Sequence, residues 1–217
     1  MDFESLQTKY DGFQTPTAVI KINDRMVTDE KLPFQISDIE VDLTCGYEAS
    51  IASFHIYNVY STVKGQFETE EIQKYIYLGS KVEIYLGYGA TAKLVFVGVI
   101  AKVAYQMLEY EVPCIQVTSM DAKSIIMAGN YSRQLKATQF TEAAKEILMK
   151  TAYARLQSKG IIRNIQVSQP VLKPSVDGAS ADQTIEMVAE SDYEFLVKLA
   201  KKNNYEFFCE CGDVIFR

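Results

Sequence analysis

Apolar and acidic residues alternate from Ile36 to Thr44, with Ile39, Val41 and Leu43 on one side and Asp38, Glu40 and Asp42 on the other. A period of two is that of a β-strand buried on one face, so this strand is expected to show an acidic face to water. Ala18 to Asn23 predicts an earlier strand closed by the turn pair Asn23-Asp24, and Ala49 to Asn58 predicts a later one. Val82, Ile84 and Leu86 form the inward row of another strand that ends at Gly87-Tyr88-Gly89. The run from Lys93 to Val103 is apolar on both faces, which fits a strand covered on both sides, with Gly98 as a bend or a point of close approach. Leu108, Tyr110 and Val112 then face one way and Ile115 and Val117 the other, so a bulge or a barrel corner is expected at Pro113. Between Gln66 and Tyr77 a short helix or a loop packed through Ile72 and Ile76 interrupts the strands. From Thr17 to about Ser119 the chain is therefore expected to be mostly β, and closure into a small antiparallel barrel would remove its exposed edges.

The period changes at Ser119. Asp121 can cap a short helix ending near Gly129, and Thr138 or Thr141 a longer one with Phe140, Ala144, Ile147, Leu148 and Thr151 on one face. Gly160 to Ser168 alternates as a strand, and the Pro- and Ser-containing stretch from Gln169 to Ser180 is expected to be a loop. Ser191 stands three residues before Glu194 at the head of an apolar run, the spacing of a capping box. The helix it starts carries Phe195, Leu196, Leu199 and Ala200 on one face and stops at Asn203-Asn204. Tyr205 to Cys209 then alternates as a strand, and Cys211-Gly212-Asp213 turns the chain back. The expected fold class is α+β and β-rich: a barrel over residues 1–118, a small α+β insertion over 119–185, and over 186–217 the start of a second barrel-like unit. A lone terminal hairpin is marginal, so it must pack on preceding parts or belong to a longer protein.

Glu190-Ser191-Asp192-Tyr193, then Phe195-Leu196 and Leu199-Ala200, followed by Asn204-Tyr205 and Phe207-Phe208, resembles a segment of the phage late-control D family. Gly87-Tyr88-Gly89 with Val95 to Ile100, and Val117 to Ala122, are similar to further motifs of that family, so the resemblance spans about residues 80 to 217. Residues 1 to 79 carry no motif of it. These proteins are central baseplate hubs of contractile tails, related to the valine-glycine-repeat (VgrG) spike proteins of type VI secretion. The resemblance implies two related barrels per chain flanking α+β parts, three chains forming a ring, and a tail tube protein and a central spike protein as partners. A full hub would continue past Arg217 to complete its second barrel, so a fragment or a shortened member is expected.

Composition narrows the chemistry. The 217 residues are 48% hydrophobic with a net charge of -6, enough to bury a sizeable core. The acidic balance argues against specific nucleic-acid binding, which needs clustered Lys and Arg. No apolar run nears the ~20 residues that span a bilayer, so stable membrane insertion is not expected. Met1-Asp2-Phe3-Glu4 lacks a signal-peptide pattern, and the expected location is the bacterial host cytoplasm during assembly, then the baseplate. Cys45, Cys114, Cys209 and Cys211 have no metal-ligand spacing and are expected to be reduced thiols. His55 is the only histidine, in a strand with no second ligand nearby in sequence, which disfavours a metal site or a histidine-dependent triad. Gly87 to Lys93 lacks the Gly-Lys-Ser/Thr ending of a phosphate loop and is better read as a hairpin turn. Asp38, Glu40 and Asp42 are ordinarily solvated, though paired carboxylates or calcium ligands have the same chemistry; the family implies a third role, an acidic row facing a tube lumen. Fourteen tyrosines with no tryptophan fit either intersubunit surfaces or half-buried strands. No catalytic, cofactor-binding or metal residue is assigned, and the expected function is a structural hub that assembles as a homotrimer. A wall-degrading baseplate lysozyme would need a carboxylic acid of raised pKa in a cleft, which nothing marks. The alternatives are a VgrG-like type VI spike hub or a soluble β-rich adaptor.

Overall fold

In a computed structural model of the chain, residues 2–29, 31–168 and 185–217 are described; the expected loop at 169–180 lies outside them. The chain divides into two compact units. The first holds the chain up to Asp42 and Ile51–Met120; the second takes Leu43–Ser50 and Asp121–Arg217.

Unit 1 opens with α1 (Phe3–Lys9), capped by Asp2 through Ser5 N and without a buried residue. Its strands are β1 (Pro16–Ile22), β2 (Arg25–Met26), β3 (Gln35–Asp42), β4 (Ile51–Tyr57), the short pair β5 (Tyr60–Ser61) and β6 (Gln66–Phe67), and, after α2 (Glu70–Gln73), β7 (Lys81–Tyr88), β8 (Thr91–Gln106) and β9 (Cys114–Met120). Seven of them form one antiparallel sheet in the order β2-β1-β7-β8-β9-β4-β3. Their inward residues, among them Ile20, Phe54, Ile84, Phe96, Ile100 and Val117, meet in one core, with Ile36, Ile39 and Val41 of the last strand packed against it. Both ends of the sheet thus wrap the same core, as in a barrel. No ladder joins β3 to β1 or β2 among the described residues, so the barrel is nearly closed rather than closed.

Local chemistry explains many of these elements. Asn23 and Asp24 both have positive φ, the conformation a two-residue hairpin turn needs, and hand β1 to β2. In β8, Phe96 to Ile100 are all buried, as a run apolar on both faces predicts. A Cβ on Gly98 would lie 2.3 Å from the Met120 carbonyl oxygen, so that glycine is a point of close approach. Ile72 and Ile76 are buried beside α2.

Two expectations are corrected. The alternation from Ile36 is broken by a bulge: Ser37 pairs with His55 and Glu40 with Ser53, leaving an extra residue on β3, and Asp38 takes φ 51°. The physical reason is parity. Ile36 and Ile39 are three apart, and only an added residue turns both toward the core. The strand expected through Leu108, Tyr110 and Val112 is instead the loop joining β8 to β9, closed by the pair Gln106 and Cys114. Its apolar side chains alternate but are exposed, and Tyr110 has φ 66°. The bulges of β8 lie earlier, between its pairings with β7 at Ile84/Tyr85 and with β9 at Ile100/Lys102, and not at Pro113.

Unit 2 contains α3 (Lys123–Ile126), β10 (Tyr131–Gln134), α4 (Phe140–Leu148), α5 (Thr151–Ser158), β11 (Asn164–Val167), β12 (Glu186–Glu190), α6 (Asp192–Asn203), β13 (Phe207–Glu210) and β14 (Asp213–Phe216). The capping box is formed: Glu194 N donates to Ser191 Oγ at 3.1 Å and Ser191 N to Glu194 Oε2 at 2.8 Å. Phe195, Leu196, Leu199 and Ala200 are buried, and Asn204 ends α6 with φ 55°. Cys211 and Gly212, both at positive φ, make the last hairpin turn. Helix α4 has Gln139 at its N-cap position with no side-chain cap bond, so neither Thr138 nor Thr141 caps it. It ends at Leu148, and Thr151 begins a separate helix instead of lying on the face of α4. The strand expected from Gly160 is limited to β11.

The terminal hairpin is not left alone. β14 pairs in parallel with β11 and antiparallel with β13, and β12 pairs with β10. Phe207, Val214 and Phe216 then join Ile147, Ile162 and Phe195 in one core. Residues 121–168 and 185–217 therefore belong to a single packed unit, across the boundary expected at 185/186.

Candidate functional site

The bulge on β3 brings together three polar side chains that the sequence does not link. Tyr57 Oη donates to Asp38 Oδ2 at 2.7 Å, and His55 Nδ1 lies 3.7 Å from the same oxygen. His55 Nδ1 is buried without a hydrogen-bond partner. Asp38 raises the Tyr57 phenol to about 12, because it accepts the phenolic proton's hydrogen bond and repels a phenolate. A phenol held protonated beside an exposed carboxylate is not an activated nucleophile or base near neutral pH, so no reaction is assigned to this group. Glu40 and Asp42 are exposed on the same strand. Gly87 to Lys93 forms a hairpin in which Tyr88 pairs with Thr91 and a strand follows, so the geometry is not that of a phosphate loop. None of the four cysteines is in a disulfide, and burial pushes the Cys114 and Cys209 thiols up. Among the described residues no group of three or more His, Cys, Asp or Glu could hold a metal ion, and no helix is long and apolar enough to cross a membrane.

Unit 2 contains two charged networks that sequence reasoning missed; Asp121, expected to cap α3, precedes its N-cap Ala122 and belongs to the first of them. Lys123 has 0% exposure; its Nζ donates to the carbonyls of Gly46, at 3.1 Å, and Glu48, and lies 3.9 Å from Asp121 Oδ2. Asp121 accepts from Lys123 N at 2.9 Å and Ser50 N at 3.0 Å, while burial raises its carboxyl above the ordinary range. Together they fix the segment 43–50. In the second network Asp192, only 4% exposed at its side chain, accepts from Lys150 Nζ at 2.7 Å, Arg133 Nη1 at 2.9 Å and Tyr153 Oη at 2.6 Å. Arg133 in turn stacks on Tyr131, 4.1 Å from the ring centroid. Burial and the Asp192 hydrogen bond push the Tyr153 phenol up. Lys123, Asp121 and Asp192 are the buried centres of these networks, and their partners satisfy them. A signal for them existed only in the odd acidic residue following a helix cap.

Two surface features of unit 1 are suited to interaction. The β8–β9 loop presents Met107, Leu108, Tyr110 and Val112 to solvent, with Tyr110 97% exposed. The unclosed side of the barrel is a cleft of about 900 Å³ lined by residues of β1, β3 and the connection between β2 and β3.

No family model matches the chain, and no curated protein matches it. Among solved structures, the chain is similar to a tail protein from Neisseria meningitidis MC58, with a TM-score of 0.57 and 12% identity. The likeness covers 93% of this chain, which spans about half, 50%, of that one. The chain thus has the fold found in a tail protein.

Proposed function

We propose that this chain is a structural baseplate hub protein of a contractile phage tail or a related injection system, joining the tail tube to the central spike. The observation that carries the reading is the fold likeness to a tail protein, which runs through both units. The late-control D motifs from Gly87 to Phe208 support the finer step from tail protein to hub, and the exposed apolar side chains of the β8–β9 loop suit a protein that works by contact. The role is assembly, without catalysis. The hub acts as a homotrimer whose head-to-tail contacts close into a ring, with tube protein on one rim and spike on the other. Sedimentation of the complete hub, alone and mixed with its tube and spike proteins, tests this. Three copies per particle are expected; a chain that stays monomeric in every mixture would refute the hub role.

A further inference from the structure

The two ends of the unit 1 sheet leave backbone groups unpaired on either side of one cleft. On β1, pairing on the outer side reaches only Ile20, where Val27 N donates to the Ile20 carbonyl and Thr28 Oγ1 accepts from Ile20 N. From Pro16 to Val19 the outer edge has no partner among the described residues. The far edge of β3, from Gln35 to Asp42, also carries no ladder. Ala18 on one side and Gln35 to Ile39 on the other line the same cleft of about 900 Å³, whose floor includes Val27, Leu32 and Phe34.

We infer that this seam is an acceptor for an extended segment of another protein, which would insert as a strand and complete the barrel. Exposed strand edges attract pairing, and an added strand gains main-chain hydrogen bonds while its side chains alternate between two environments. Here those environments differ. The inner one is apolar, built from Leu32, Phe34, Ile36 and Ile39. The outer one is acidic: Asp29 and Asp38 line the cleft, and Glu40 and Asp42 continue along the exposed face of β3. The whole unit carries fifteen carboxylates against nine Lys and Arg. The occupant is therefore a segment with apolar residues alternating with Lys or Arg. An acidic or wholly apolar strand is selected against by the carboxylates at the bulge, which it would approach or cover without a countercharge. The seam does not depend on the hub reading, and its test uses neither tube nor spike.

The probe is a capped peptide of about ten residues alternating valine and lysine, long enough to run the eight residues of β3 at ~3.3 Å each. Added to the full chain, it is expected to slow amide exchange at Ala18, whose N–H faces away from β7, and within Ile36–Val41. It should bind about tenfold more tightly than the valine-glutamate analogue, lose affinity as salt is raised, and weaken severalfold against the double variant Glu40→Gln, Asp42→Asn. Methylation of alternate peptide nitrogens should abolish the amide protection. Equal binding of the glutamate peptide, or binding without protection at those amides, would overturn the inference. So would self-association that protects the same amides without peptide, since the seam would then belong to a second copy.

Discussion

The two units solve one problem, the satisfaction of buried polar groups, by different means. Unit 1 is organised by one seven-stranded sheet, so strand pairing supplies much of its backbone hydrogen bonding, and most of its charged side chains lie at the surface. The buried Lys81 there reaches Asp24, whose side chain is 78% exposed, so the ion pair sits at the edge of solvent. Unit 2 is assembled from short helices and small sheets with irregular connections, and it places charges inside. Lys123 and Asp121 hold the 43–50 segment, and Asp192 holds Arg133, Lys150 and Tyr153. Ladders tolerate changes in outward side chains; a buried charge network does not, because removing one member leaves a buried partner without its countercharge.

The largest expected effect separates the two lysines. Lys123→Met should cost about 3 kcal/mol, because it leaves Asp121 buried and two carbonyls unpaired. Lys81→Met should cost about 1 kcal/mol, since Asp24 can be hydrated and Glu83, the second partner of Lys81 at 3.3 Å, keeps the hydrogen bond from Tyr85 Oη. Urea melts give both values, and equal losses would remove the distinction between the units. Next is Asp192→Asn, expected at about 2 kcal/mol: Arg133 and Lys150 lose their carboxylate but are partly solvated, at 30% and 24% exposure. Faster amide exchange should then be confined to unit 2.

Ser191→Ala should cost about 1 kcal/mol by removing the α6 cap. The same cap has a pH signature. Backbone and side-chain hydrogen bonds from Ser191 hold the Glu194 carboxyl below its ordinary 4.5. A depressed acid contributes stability that is present above the unfolded value and lost as pH falls through the folded one. The stability difference between the wild type and Glu194→Gln should therefore shrink on acidification below about 4.5; a constant difference would show that the carboxylate charge plays no part. The smallest effect is at Glu40→Gln, an exposed residue of β3, expected within about 0.5 kcal/mol. A larger loss would mean that unit 1 also depends on its carboxylates.

The sequence by itself determined what is decided within a few residues. Ser191 with Glu194, Asn23-Asp24, Cys211-Gly212 and the turn after Gly87 each specify a cap or turn through local backbone chemistry. The double-sided apolar run around Gly98 likewise announced a covered strand. Tertiary structure decided the remainder. The alternation through Asp38 read as a straight strand because parity with the core becomes visible only once β3 lies on β4. Leu108 to Val112 has a strand's pattern but no partner, and pattern without pairing leaves a loop. The parallel pairing of β14 with β11, and the meeting of Asp192 with Arg133 some 59 residues away, depend on chain closure over long distances. Of the barrel seam, the acidic row was legible from spacing alone. The opposing edge of β1 was not, because two strand edges become a cleft only when the whole sheet curls between them.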